Sequence, residues 1–161
     1  MINEFAAWLA TTSLNSAIQN NYWVIPIIQS VHILCIAIVV TSMGMLDLRL
    51  VGIAGRRQSL ADAGKRFLPW TWSALALLLI SGSLLIAGEP GRELQSDFFW
   101  LKMTLVACVV ALTVTFQLVL NLGAGFWERN RPIAVVVGVV SLGLWIGIVV
   151  CGRWIAYGAH G

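Results

Sequence analysis

Four long runs of apolar residues dominate the chain and decide the solvent in which it folds. A helix that crosses the hydrocarbon core of a membrane needs roughly 20 mainly apolar residues. The runs lie at about 22–46, 70–87, 100–122 and 133–157 of a 161-residue chain, so spans and connections use nearly all of its length. No separate soluble domain fits beside them. Apolar residues make up 59% and charged residues 11% of the sequence, against about 45–50% and about 25% in soluble domains. These proportions exclude an ordinary cytosolic enzyme, a disordered segment and a nucleic-acid-binding module. The fold class expected is all-α: one transmembrane domain over residues 1–161, built as an antiparallel four-helix bundle running up-down-up-down.

The ends and connections refine this picture. Ile2, Phe5, Ala6 and Leu9 share one face of a short segment that also carries Glu4 and Thr11. An aromatic-bearing amphipathic stretch prefers the headgroup boundary, so residues 2–12 are expected to form an interfacial helix. The amino terminus lacks the basic n-region of a signal peptide, and no cleavage is expected. Pro26 sits in the first turn of the first span, where a missing N–H costs little. Residues 47–69 read as a polar connection with helical character, and Pro69 opens the second span. Residues 88–99 read as a turn-rich loop and 123–132 as a short one.

Charge then sets the orientation. Arg49, Arg56, Arg57, Lys65, Arg66, Arg129 and Arg131, seven of the ten basic residues, lie in the first and third connections. The second connection has Arg92 against Glu89, Glu93 and Asp97. The positive-inside rule places the basic connections in the cytoplasm and both termini outside, on the periplasmic side of a bacterial inner membrane. The net charge of +3 is thus topological, and no solvated basic face remains for nucleic acid. The lipid bilayer is the first partner.

Small residues allow helices to approach closely in lipid. The second span has Ser81, Gly82 and Ser83. The fourth has Gly138, Gly143, Gly147 and Gly152, with Gly143 and Gly147 forming a G-x-x-x-G pair that serves either the bundle or a homo-oligomer. Six of the eight tryptophans, Trp23, Trp70, Trp72, Trp100, Trp127 and Trp154, fall near span ends and read as an aromatic belt. Trp145 is mid-span and the exception.

An ionisable residue inside a span is costly unless it is paired, and is therefore a functional candidate. With span centres near residues 34, 111 and 145, His32 lies about 3 Å outward of the midplane, and Lys102 and Arg153 about 12–13 Å outward. Gln29 shares the face of His32. The plainer alternatives are snorkelling anchors for Lys102 and Arg153, and a His32 held by a backbone carbonyl or by Gln29. The functional reading is haem b. A histidine nitrogen can hold its iron, and Lys102 and Arg153 could pair with its propionates. From iron to propionate tip a haem spans about 10–12 Å, which matches the depth offset given by helix rise. His160 lies beyond the last span and could reach only if the tail folds inward, and Met43 and Met45 lie too far inward on the helix of His32, which leaves five-coordinate haem or a methionine such as Met103 on the opposite side.

Copper is the alternative cofactor, since histidine, cysteine and methionine suit Cu(I). His32 and Cys35 share a face, with Met43 further inward and Cys108 and Cys151 on other spans. No Cys-x-x-C spacing is present, and three packed free thiols are the structural alternative. A quinone head held by His32, Gln29 and Trp145 is a third possibility. A non-catalytic subunit of a larger membrane complex, or a subunit serving a redox partner, fits the same features. Asp47 is expected to form an ion pair with Arg49 or Arg66. No acid lies near His32 to complete a hydrolase triad, and there is no HExxH or phosphate-binding glycine loop.

Three segments carry a resemblance: Gln29-Ser30-Val31-His32-Ile33-Leu34, Met45-Leu46-Asp47-Leu48-Arg49-Leu50-Val51-Gly52 and Gly152-Arg153-Trp154-Ile155-Ala156-Tyr157. They resemble an uncharacterised bacterial family of small four-span inner-membrane proteins, a domain of unknown function, over nearly the whole chain. The chain is also distantly similar to membrane proteins of the copper-resistance D type. The resemblance implies the four-span topology and points to His32, Asp47, Arg49, Lys102 and Arg153. It also implies a histidine in relatives where this chain has Gln117, a departure that speaks against a second metal site here.

Overall fold

The computed structural model describes residues 2–54, 59–123 and 125–157. Arg56, Arg57 and His160 lie outside the described residues. All regular structure among those described is helical: α1 (Ile2–Ala10), α2 (Ser13–Gln19), α3 (Val24–Val51), α4 (Leu60–Gly88), α5 (Pro90–Leu94), α6 (Asp97–Leu122), α7 (Gly125–Arg129) and α8 (Arg131–Tyr157). Four of them, Val24–Val51, Leu60–Gly88, Asp97–Leu122 and Arg131–Ile155, are long and apolar enough to cross a membrane.

Capping chemistry explains where the long helices exceed the apolar runs. Helix α3 continues past Leu46 to Val51 and stops at Gly52, whose φ of 87° is left-handed. The Gly52 N–H donates to the Leu48 and Arg49 carbonyls, and the Ile53 N–H also donates to Leu48. This glycine-terminated stop satisfies carbonyls that a helix end otherwise orphans. Helix α4 begins ten residues before the expected start at Trp70. The Ser59 hydroxyl accepts from the Asp62 N–H at 3.1 Å, and the helix then runs through Pro69 without a break. Residues 60–68 are helical because they have a core face, with Leu60, Ala63, Gly64 and Leu68 buried.

The short helices cover one end of the long ones. The expected helix at 2–12 corresponds to α1, and a second short helix follows it: Thr12 caps α2 by accepting from the Asn15 N–H at 3.3 Å. Asn15 Nδ2 donates to the Ala87 and Gly88 carbonyls at 2.8 and 2.9 Å, and Gln19 Nε2 donates to Gly88 at 2.7 Å. Polar side chains of α2 thus serve the open carbonyls at the end of α4. The expected loop at 88–99 contains α5, with Arg92 paired to Glu89 at 2.5 Å. Ala6, Leu94, Phe99 and Ile155 form a small apolar cluster beneath α1.

Helix α3 packs against α4 and α8, α6 packs against α8, and α4 also touches α6. Buried residues recur at three- and four-residue steps: Cys35, Val39, Met43, Leu46 and Leu50 on α3, and Val109, Thr113 and Phe116 on α6. They meet Trp145 and Ile148 of α8 in one core. Trp72 Nε1 donates to Gln117 Oε1 at 2.7 Å, joining α4 to α6. Trp72 is therefore a core contact more than a belt residue, and Trp127 is buried as well. Gln117→Leu is expected to leave the Trp72 N–H unpaired and to cost about 0.6–2 kcal/mol, read as a lowered midpoint of unfolding in mixed micelles. Unchanged stability would show that this bond contributes nothing.

Candidate functional site

His32 lies on the core face of α3, half-buried and one turn before Cys35. Its Nδ1 is 2.8 Å from Ser81 Oγ on α4. The Ser81 hydroxyl itself donates to the Leu77 carbonyl at 2.7 Å. A hydroxyl has one proton, so towards His32 the serine accepts and Nδ1 carries the ring proton. That assignment leaves Nε2 with its lone pair. Gly82 lies against the ring: a Cβ there would stand 3.5 Å from His32 Cε1, an ordinary contact. The side chain that meets His32 is thus Ser81, and not the backbone carbonyl or Gln29 of the plainer alternative. The Ser81-Gly82-Ser83 cluster signalled close packing, and the hydrogen-bonding role of Ser81 was not separable from it.

Lys102 joins this site. It is half-buried on the α6 face that carries Phe99, Val109 and Thr113, and it is close enough to His32 to act on it electrostatically. Arg153 does not share that face. It is exposed beside Trp154, whose ring stacks on Phe98 at 6.0 Å. Gln29 is half-buried one turn outward of His32.

The longer helices also shift the depths. With α3 spanning Val24–Val51, His32 lies about 8 Å outward of its helix centre, against about 11 Å for Lys102 and about 13 Å for Arg153. The offset between His32 and Lys102 is about 3 Å, much less than the length of a haem, because α3 extends further inward than its apolar run. Trp145 is remote. Ser141, one turn inward of it, hydrogen-bonds Asp47, which places Trp145 about 16 Å inward of His32 along α3. The trio of His32, Gln29 and Trp145 is therefore not assembled around one ligand.

The remaining candidates separate. Cys35 and Cys151 are buried, Cys108 is exposed, and among the described residues no three His, Cys, Asp or Glu side chains gather. Asp47 is buried between α3 and α8. Ser141 is its hydrogen-bonding partner, and no ion pair with Arg49 or Arg66 forms; Arg66 is exposed on α4. The two glycines of the G-x-x-x-G pair part company: a Cβ at Gly147 would meet Leu105 of α6 at 3.3 Å, whereas nothing lies within 4 Å of Gly143.

No curated protein and no solved structure matches the chain. A family model does, over residues 5–158, and it includes His32, Ser81, Lys102 and Asp47. The chain therefore belongs to a family of unknown function, DUF6644.

Proposed function

We propose that this chain is a bacterial inner-membrane protein that binds haem b through His32 Nε2. On this reading it carries electrons to or from a membrane quinone or a periplasmic partner. The observation that supports it is the fixed tautomer of His32. A metal-binding histidine commonly donates its other ring N–H to a second group, which orients the ring and raises its basicity. The Nδ1–Ser81–Leu77 relay is such an arrangement. Lys102 is a cation on the core face, but its depth offset from His32 of about 3 Å does not match a propionate extended straight outward. Arg153 is an exposed cation at the outer end of α8.

The same reading puts the four long helices in the membrane as an antiparallel bundle. Arg49, Lys65, Arg66, Arg129 and Arg131 sit at one end of the helices, and Arg92 with three acids at the other. That asymmetry supports a cytoplasmic basic end and outer termini. The open surface at Gly143, beside exposed Val139, Val140 and Ile146, favours a contact with a second helix from a partner subunit or another copy.

Titration of the purified chain with haemin tests the function. A Soret band that saturates at one haem per chain, and a reduced spectrum with a sharp α band, are expected. No saturable band would remove the proposal. Ser81→Ala is expected to weaken haem binding about 10–100-fold by releasing the ring, measured in the same titration. Unchanged affinity would mean that the relay does not serve a ligand.

A further inference from the structure

The inner end of α3 and α8 holds a second polar centre, which the haem reading does not use. Asp47 is 1% exposed and lies one turn before the end of α3. Ser141 of α8 hydrogen-bonds its carboxyl, while Oδ2 is buried and has no partner. Gly138 presses on this point: a Cβ there would stand 3.0 Å from the Asp47 carbonyl oxygen. The seam is too tight for Asp47 to swing out to the headgroups.

Among the described residues no cation pairs with the carboxyl. The Arg131 guanidinium donates to the Leu50 carbonyl at 3.3 Å and lies against Gly52. On α4, Asp62, Lys65 and Arg66 are exposed, and the inner half of α6 has no charged residue. An unpaired carboxylate in a dry seam is costly, and a bound proton removes the charge.

A route for that proton is present. Just inward of Asp47 is a small cleft of about 20 Å³, lined by Arg49, Leu50, Trp127, Glu128, Arg131 and Ala134 among others, which is room for about one water. Leu50 is one turn from Asp47 on α3, and Ala134 one turn from Gly138 on α8. Trp127 Nε1, on the wall of this cleft, is buried and unpartnered. An orphan N–H on the wall and an orphan carboxyl oxygen beyond it are the donor and acceptor that buried water joins. Outward of Asp47 the seam is closed by Met43, Val39 and Trp145, all buried in the apolar core.

We propose that Asp47 is a membrane-embedded proton-binding site, loaded and unloaded from the inner face through the cleft between α3, α7 and α8. The proton passes from water in the cleft to Oδ2 and leaves by the same path. No bond between heavy atoms changes. Glu128 at the cleft mouth is the carboxylate that collects it, and Arg49 and Arg131 are the charges that face the route.

Infrared spectroscopy of the full chain, in vesicles of one orientation, tests this. Wild type is expected to show a protonated-carboxyl C=O stretch that is absent in Asp47→Asn and shifts in D2O. A rise in pH at the inner face is expected to abolish the band, and the same step at the outer face to leave it. Identical spectra for wild type and Asp47→Asn, a band that never exchanges, or a response to the outer face would each overturn the proposal. Ser141→Ala gives a second readout should Asp47→Asn fail to fold: loss of its hydrogen bond must shift this band, and an unmoved band also overturns the assignment.

Discussion

Gly138→Val is expected to destabilise the helix assembly by about 3 kcal/mol, the upper part of the range for overpacking. The cause is local and rigid. A Cβ at residue 138 would stand 3.0 Å from the Asp47 carbonyl oxygen, 3.0 Å from Val51 Cγ2 and 3.2 Å from Leu50 Cβ. Backbone and Cβ atoms cannot rotate away, so α8 must move off α3. In lipid, helix association depends on such close packing, because the tails are as apolar as the side chains. Two other glycines give the contrast. At Gly64 the obstacle is the end of the Leu120 side chain, which can turn aside, and at Gly143 there is none within 4 Å. Gly143→Val is therefore expected to change the stability of the single chain by no more than about 0.5 kcal/mol. Reversible unfolding in mixed micelles checks both. Equal losses at 138 and 143 would contradict the α3–α8 seam described above. A loss of oligomer without a loss of folding at 143 would instead identify a partner surface.

Hydrophobic pattern and charge were legible in the sequence, and side-chain geometry much less so. Each of the four apolar runs corresponds to a long helix, because nothing but a helix can pair its backbone internally over such a stretch. The helix ends were harder to read. Residues 60–68 look polar as a string, with Asp62, Lys65 and Arg66 among them. Yet Leu60, Ala63, Gly64 and Leu68 fall on one buried side, and the Ser59 cap starts the helix there. Pro69 looked like a beginning and lies within the helix.

The candidate site was half legible. His32 and Lys102 stand out as costly residues in apolar runs, and they occupy the core faces of α3 and α6. Ser81 carried no signal of its own, since a serine among glycines reads as a small packing residue. Depth marks Trp145, and depth with the resemblance marks Arg153, but neither tells which way a side chain faces. The nearness of Asp47 to Arg49 in sequence, and to Arg66 at the same end, suggests an ion pair. Two residues apart on a helix, the two side chains do not face each other, and the carboxyl turns to Ser141 instead.

His32→Ala is the substitution with the largest expected effect on the proposed function, because on that reading it removes the ligand atom itself. The ring makes one hydrogen bond, to Ser81, and is half-buried. Its loss is expected to cost the fold about 1 kcal/mol and to leave the helices assembled. The proposed haem binding would have no such reserve, since His32 is the one histidine among the described residues. The direct measurement is the absorption spectrum of wild type and His32→Ala, purified in parallel and titrated with haemin, with helicity checked by circular dichroism. A saturable Soret band in wild type, absent from a folded His32→Ala, is the result predicted here. A band of equal size in both, or in neither, would contradict the assignment of His32 as the haem ligand.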